Sequence, residues 1–132
     1  KNEAHCACCP TTAALLAAEP STNRMVFGSH FFSRLAGGTH LAAHCGPSNL
    51  RLRVHLGLVV PPGTRIRVGD DVREWREGEC LVFDDSFEHE VWHEGDEDRI
   101  VLIADMFHPQ VDFQAMVAPL LKADQRADLA AA

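Results

Sequence analysis

One segment of this chain places cations at regular spacing, from Arg51 to Leu56 in the order Arg-Leu-Arg-Val-His-Leu. In a β-strand successive side chains point to opposite faces, so Arg51, Arg53 and His55 would share one face. On the inside of a barrel this face would bind an anion, since the planar guanidinium matches a carboxylate. On an outer face the same cations would lie in water. The apolar continuation Gly57–Val60 favours the inner face.

The histidines form a second set of candidate residues. His44 and His89 lie far apart in the chain, and Arg99 follows on the next strand-like segment. In a two-sheet barrel, two histidines on facing strands could hold one metal, with an arginine beside it to bind a charged co-substrate. Non-heme Fe(II) oxygenases use two histidines and one carboxylate. We expect that carboxylate two residues after the first histidine, where this sequence has Gly46.

The elements that must position these residues are mostly strands. Short apolar or alternating segments are separated by turns rich in Gly, Pro, Asn and Asp, a pattern typical of a barrel or sandwich. The predicted strands are Met25–Ser33, Leu50–Val60, Arg65–Val68, Glu79–Phe83, His89–Trp92 and Arg99–Phe107. A short helix is predicted over Ala13–Ala18, ended by Pro20. Apolar residues at helical spacing, which predict a second helix, are Phe113, Met116, Val117, Leu120 and Leu121.

Length and composition limit the function classes. The 132 residues suit a single domain over 1–132, with its core at about 24–109. A formal net charge of -7 argues against nucleic-acid binding, and no apolar run approaches a membrane span of about 20 residues. The first residue is Lys1 rather than Met, so we expect a processed or excised piece of a longer chain. The cluster Cys6, Cys8 and Cys9 lacks a second ligand pair for zinc, which favours reduced thiols.

Three motifs resemble the aspartyl/asparaginyl β-hydroxylase family of Fe(II)- and 2-oxoglutarate-dependent oxygenases. They are GTHLAAHCGPSNLRLRVHLGLVVP, REWREGECLVFDDSFEHEVWHE and RIVLIADMFHP. The resemblance covers residues 33–109 and implies a mainly β, double-stranded β-helix fold of the jelly-roll or cupin-like type, with short flanking helices. The family coordinates iron through two histidines without the acidic ligand, so Gly46 fits this family.

The resemblance also implies a role for each matching residue. His44 and His89 match the iron ligands, and Ser33 and Arg99 match the residues that hold the distal carboxylate of 2-oxoglutarate. Arg53 and His55 match groups near the other end of that co-substrate. Arg51, with Arg53, matches arginines that face the target side chain. The catalytic set is therefore His44, His89 and Arg53.

The implied reaction hydroxylates the β-carbon of an Asp or Asn residue in a peptide or protein. It consumes 2-oxoglutarate and O2 and releases succinate and CO2. Alternatives are an oxygenase acting on lipid, a halogenase with chloride in the space left by Gly46, and a catalytically inactive β-barrel fragment. Asp85 or Glu88 is expected to accept a hydrogen bond from an iron-binding histidine. Trp75 and Trp92 are expected in packing roles, and His40 in structural support.

Overall fold

The computed structural model describes residues 2–23, 28–112 and 119. Three short helices come first: α1 (Glu3–Cys8), α2 (Pro10–Ala18) and α3 (Pro20–Asn23). Helix α2 starts at a proline, whose fixed φ suits the first helical turn, and it ends before Pro20. None of the helices in the described ranges has the length and apolar character needed to cross a bilayer.

Eight strands follow the helices. They are β1 (His30–Leu35), β2 (His40–His44), β3 (Arg51–Val59), β4 (Thr64–Val68), β5 (Asp71–Glu74), β6 (Cys80–Phe83), β7 (His89–His93) and β8 (Arg99–Phe107). One four-stranded antiparallel sheet has the order β1-β8-β3-β6 and the other has the order β2-β7-β4-β5. Strands that follow one another in the chain thus lie mostly in different sheets. This is the double-stranded β-helix that the sequence predicts.

The register of β3 and β8 sets the inner face of the first sheet. Arg53 lies opposite Asp105 and His55 lies opposite Ile103, so both pairs point toward the second sheet. On β1, Ser33 pairs with Val101 and so shares this inner face. The alternation predicted for β3 is therefore confirmed.

A small apolar core fills the space between the sheets. The buried members are Leu35, Ile66, Trp75, Phe83, Val91, Val101 and Ile103. They come from both sheets and from the loop after β5, because each strand that lines the interior contributes its inward positions. Polar side chains take the remaining inward positions of β3, β7 and β8, and these form the candidate site.

Several predicted element boundaries were wrong. The first strand is His30–Leu35 rather than Met25–Ser33, and β2 and β5 were not predicted. Strand β5 has four exposed residues and begins in the polar sequence Gly69-Asp70-Asp71, which has the composition of a turn. The helix predicted over Ala13–Ala18 forms the last six of the nine residues of α2. The predicted C-terminal helix falls almost entirely outside the described residues.

Candidate functional site

Two histidines meet at one end of the second sheet. His44 is the last residue of β2 and His89 the first of β7, and they face each other in the antiparallel register. Their ring centroids are 4.2 Å apart, with the planes tilted by 55°. His89 is buried and His44 is exposed. The expectation of facing strands was wrong, because these strands are hydrogen-bonded neighbours in one sheet.

Backbone contacts fix the orientation of both rings. The Nδ1 atom of His44 lies 2.8 Å from the carbonyl oxygen of Ala42, and that of His89 lies 3.0 Å from the carbonyl oxygen of Phe87. A carbonyl only accepts, so each Nδ1 carries a hydrogen, and in the neutral ring the lone pair is then on Nε2. Neutral imidazole with a free Nε2 is the form that binds a metal, and a backbone carbonyl on the other nitrogen is the usual support.

A third ligand is not supplied at this pair. Among residues 2–23, 28–112 and 119, no cluster of three or more His, Cys, Asp or Glu side chains has metal-binding geometry. A Cβ atom on Gly46 would lie 2.5 Å from the carboxyl group of Asp85. The space beside Gly46 is therefore already filled by the Asp85 carboxylate, which is fully buried. Two imidazoles alone could hold a metal and would leave its other coordination positions open for further ligands.

Arg99 supplies a buried positive charge in the interior. The residue is 2% exposed, and its Nη2 donates to the hydroxyl of Ser33 at 3.2 Å. Its Nε has no hydrogen-bond partner among the described residues, and no carboxylate of those residues forms an ion pair with it. Burial lowers the pKa of Arg99 to about 10, so it remains charged at neutral pH. A buried guanidinium that no described carboxylate neutralises, with a hydroxyl beside it, is suited to an anionic ligand.

His55 lies in the interior between two aromatic rings. Its ring lies nearly parallel to that of Trp75, with the centroids 5.8 Å apart, and makes a T-shaped contact with Phe83 at 5.1 Å. The Phe83 ring in turn lies 5.6 Å from that of His89, which links His55 to the pair formed by His44 and His89. Burial, followed by the nearby charges of Arg99 and Arg53, lowers the pKa of His55 to about 3. The imidazole is therefore neutral.

Arg51 and Arg53 are held by two carboxylates that the sequence analysis did not connect to them. Arg51 contacts Asp85 at 2.9 Å and Asp105 at 3.1 Å. Arg53 contacts Asp85 at 3.2 Å and Asp105 at 2.9 Å. Both carboxylates are fully buried. This two-by-two network neutralises the arginines and fixes their side chains, as buried charges require.

The network also changes the pKa values of its members. Burial alone would raise the pKa of Asp105, but the hydrogen bonds from Arg53 and from the Ser29 N–H outweigh it and bring this pKa below its usual value. For Arg53, burial opposes the charged form, and the hydrogen bond and charge of Asp105 more than offset this and raise its pKa. Arg53 and Asp105 are therefore ionised at neutral pH.

The expected acceptors for the histidines were wrong. The carboxylate of Asp85 binds the two arginines, and that of Glu88 contacts Arg67, so neither supports an imidazole in the described residues. Backbone carbonyls take that role instead. Trp75 is a core residue, as expected, but it also contacts His55 directly.

The remaining histidines of β2 and β7 contact other protein groups. His40 bonds to Glu90 and stacks on Trp92, which supports its structural assignment. His93 is buried and bonds to the carbonyl of Glu97. All five cysteines are free, including those of the N-terminal cluster.

The architecture is shared with solved cupins. The chain superposes on a cupin protein from Bacteroides fragilis with a TM-score of 0.52 at 11% identity, covering 67% of this chain and 72% of that one. It also superposes on the cupin domain of an XRE family transcriptional regulator from Enterobacter cloacae, with a TM-score of 0.53 at 10% identity, covering 69% and 92%. At such low identity the likeness defines the fold class alone: a cupin-like β-sandwich.

Sequence comparison defines the family. Residues 1–109 match the family model described as aspartyl/asparaginyl beta-hydroxylase. The chain is 46% identical over 112 residues to the mouse aspartyl/asparaginyl beta-hydroxylase, covering 84% of this chain and 15% of the relative. The human protein of the same name is 44% identical over 112 residues, with the same coverage. Mouse aspartate beta-hydroxylase domain-containing protein 2 is 43% identical over 111 residues, covering 81% of this chain and 32% of that protein.

The chain therefore belongs to the aspartyl/asparaginyl β-hydroxylase family, a family of Fe(II)- and 2-oxoglutarate-dependent oxygenases. It spans about 15% of the length of the two named hydroxylases.

Proposed function

We propose that this chain is the oxygenase core of an Fe(II)- and 2-oxoglutarate-dependent dioxygenase that hydroxylates the β-carbon of Asp or Asn residues in a peptide or protein. The observation that carries the proposal is the buried guanidinium of Arg99, which no carboxylate in the described part of the chain neutralises. A charge this deep needs an anion, and a dicarboxylate co-substrate would supply one. Family membership supports 2-oxoglutarate as that anion.

The iron would be held by His44 and His89. Both rings have their Nδ1 committed to backbone carbonyls, so Nε2 of each is available to the metal. Bound Fe(II), with 2-oxoglutarate and O2, supplies oxidative decarboxylation to succinate and CO2 coupled to hydroxylation of a C–H bond. The protein's contribution is to orient the co-substrate and target and to keep water from the site.

The two ends of 2-oxoglutarate would meet different groups. Arg99 and the Ser33 hydroxyl would bind the distal carboxylate, because they are already paired with each other and face the interior. At the other end of the co-substrate, His55 would donate from Nε2, which is buried and has no partner among the residues that the structure describes. Arg53 lies two residues before His55 on the same inward face, and it would bind the carboxylate next to the keto group.

Arg51 and Arg53 would orient the target side chain. Their charges are already balanced by Asp85 and Asp105, so they would act as directional N–H donors rather than as bare cations. Guanidinium has five N–H donors, enough to hold two carboxylates and still donate. Such donors suit the carboxylate of Asp and the amide oxygen of Asn alike, which agrees with a site that accepts both residues.

The halogenase alternative is disfavoured by one contact. Chloride would have to occupy the space beside Gly46, where the buried carboxylate of Asp85 already lies. Placing a second anion there would cost electrostatic energy. No contact of the described residues favours a lipid substrate, and the helices described include no membrane span.

The test is mass spectrometry of Asp- and Asn-containing peptides after incubation with the chain, Fe(II), 2-oxoglutarate and O2. The proposal predicts a gain of one oxygen on the peptide and a matching amount of succinate. A chlorinated product in the presence of chloride would support the halogenase. Absence of succinate with every peptide would support an inactive fragment.

A further inference from the structure

Trp75 makes three contacts that together place it at the site. Its indole Nε1 donates to Nδ1 of His55 at 3.2 Å, and the two rings lie nearly parallel, with their planes 10° apart and their centroids 5.8 Å apart. The guanidinium of Arg99 lies over the indole, with its Cζ atom 4.7 Å from the ring centroid. Trp75 is 4% exposed, so all three contacts are made away from solvent.

A glycine on β3 sets the position of this tryptophan. The loop after β5 docks on Gly57, whose N–H donates to the carbonyl of Glu79 at 3.1 Å and whose carbonyl accepts from Gly78 at 2.9 Å. A Cβ atom at Gly57 would collide with the carbonyl oxygen of Arg76. Only glycine permits this close approach. Trp75 precedes Arg76 in the docked loop and therefore lies beside His55, which is two positions before Gly57 on β3.

The hydrogen bond determines which nitrogen of His55 carries its proton. Indole N–H is a donor only, so Nδ1 of His55 must accept and therefore carries no hydrogen. In the neutral ring the proton is then on Nε2, and this N–H is buried with no acceptor among the described residues. A buried donor without a partner costs free energy unless a ligand satisfies it.

We propose that Trp75 is a positioning residue for the co-substrate: it holds His55 as the Nε2–H tautomer and holds the Arg99 guanidinium beside it, so that both donors face one dianion. This inference rests on the proposed function and extends it to a residue outside the iron and 2-oxoglutarate contacts. Trp75 acts through His55 and Arg99. The stacked ring also compensates Arg99 for part of its lost hydration, since a cation over an indole face is attracted to it.

Trp75 also separates the site from a surface cleft of about 450 Å³ between the edge strands β5 and β6, which it lines together with Phe83. The exposed side of this cleft carries Arg73, Glu74 and Glu79. A bulky aromatic ring at this point keeps the water of the cleft away from His55 and Arg99. Low local dielectric strengthens the contacts of both donors with a bound carboxylate.

The central variant is Trp75→Phe, which keeps an aromatic ring at this position and removes the N–H donor together with one ring of the indole. The matched control is Trp92→Phe. Trp92 has the same kinds of neighbours, His40 stacked at 5.6 Å and Arg65 at 5.1 Å from its ring, but it is only half-buried and outside the site. Circular dichroism and thermal unfolding establish that both variants are folded.

The first readout is the tautomer of His55 by 15N NMR in the metal-free protein. We expect one tautomer, Nε2–H, in the native chain and in Trp92→Phe, and a mixture of both tautomers in Trp75→Phe. This measurement needs neither iron nor turnover, and the native spectrum tests the contact even if Trp75→Phe does not fold. An Nδ1–H tautomer in the native chain overturns the proposal.

The second readout is the affinity for 2-oxoglutarate. Trp75→Phe removes the hydrogen bond that orients His55. We therefore expect the KM for 2-oxoglutarate to rise about 3- to 10-fold in this variant, with a smaller change in kcat. In a His55→Ala background, Trp75→Phe should change this KM little further, because the imidazole that Trp75 orients is absent. An unchanged KM, or full additivity of the two substitutions, contradicts the proposal. If the native chain shows no turnover, the proposed function fails while the NMR result still judges the tautomer.

Discussion

His44 and His89 are directly opposed across the β2–β7 pair, and their rings lie 4.2 Å apart. The contact is thus set by strand register, since each ring extends from the same end of two hydrogen-bonded strands. The register of the β2–β7 pair shifts between Leu41 and His44, and this irregularity brings His44 opposite His89. Contacts of both Nδ1 atoms with backbone carbonyls fix the two rings, and this would preorganise them for the metal that we propose.

Replacement of either histidine should therefore abolish metal binding. For His89→Ala we expect the affinity for Fe(II), or for Mn(II) as a stable substitute, to fall by more than about 100-fold, because even outer-shell changes cost roughly 10–100-fold. Isothermal titration measures the change. The matched control is His40→Ala, on the same strand as His44 but bonded to Glu90. Equal affinities in the two variants would remove His89 from the site.

Arg99→Lys should weaken 2-oxoglutarate binding while leaving Fe(II) binding intact. Lysine keeps the charge but loses the planar fork, and hydrogen bonds to a charged group are worth about 1.5–3 kcal/mol, or roughly a 10- to 150-fold rise in KM. Arg34→Lys is the control, since Arg34 is exposed on the neighbouring strand and pairs with Asp98. A KM unchanged in Arg99→Lys would place the distal carboxylate elsewhere.

Asp105→Asn should destabilise the fold by about 3–5 kcal/mol, the usual cost of breaking a buried ion pair. Asp105 contacts both Arg51 and Arg53 and accepts from the Ser29 N–H. Urea unfolding at pH 7 measures this loss. Asp98→Asn, which breaks an exposed pair, should cost less than about 1 kcal/mol.

The same carboxylate predicts a pH dependence of stability. The pKa of Asp105 is lower in the folded chain than its usual value of about 3.9. Its contribution is therefore complete above that usual value and is lost as the pH falls through the folded pKa. Between about pH 5 and pH 2 the native chain should lose stability more steeply than Asp105→Asn. Parallel acid unfolding curves for the two proteins would contradict this.

Gly46→Ala should destabilise the chain by about 1–3 kcal/mol through overpacking, because its Cβ would meet the Asp85 carboxyl group at 2.5 Å. The clash should disappear when Asp85 is also replaced by alanine. A double-mutant cycle measured by urea unfolding reports this coupling. Simple additivity of the two substitutions would show that the space beside Gly46 is free.

Alternation on β3 was readable from the sequence, because strand periodicity places Arg51, Arg53 and His55 on one face whatever their partners are. Their carboxylate partners were not readable. Asp105 is opposite Arg53 only through the β3–β8 register, and Asp85 arrives from a turn between β6 and β7. Such long-range pairing has no signal in local spacing.

Two strands and one contact escaped prediction for related reasons. Strand β2 is short and contains Ala42 and Ala43, which carry little strand preference. Strand β5 is polar throughout, because it is an exposed edge. Contact between Trp75 and His55 depends on a loop docked at Gly57, and a single glycine in a strand indicates a close approach without identifying what approaches.

Anaerobic equilibrium dialysis with Fe(II) and 2-oxoglutarate tests the central claim most directly, with the native chain compared against a His44→Ala, His89→Ala double variant. The account predicts one iron and one 2-oxoglutarate bound per native chain, and succinate formed on admission of O2. It predicts loss of both the bound iron and the succinate in the double variant. Equal iron binding by the two proteins would contradict it.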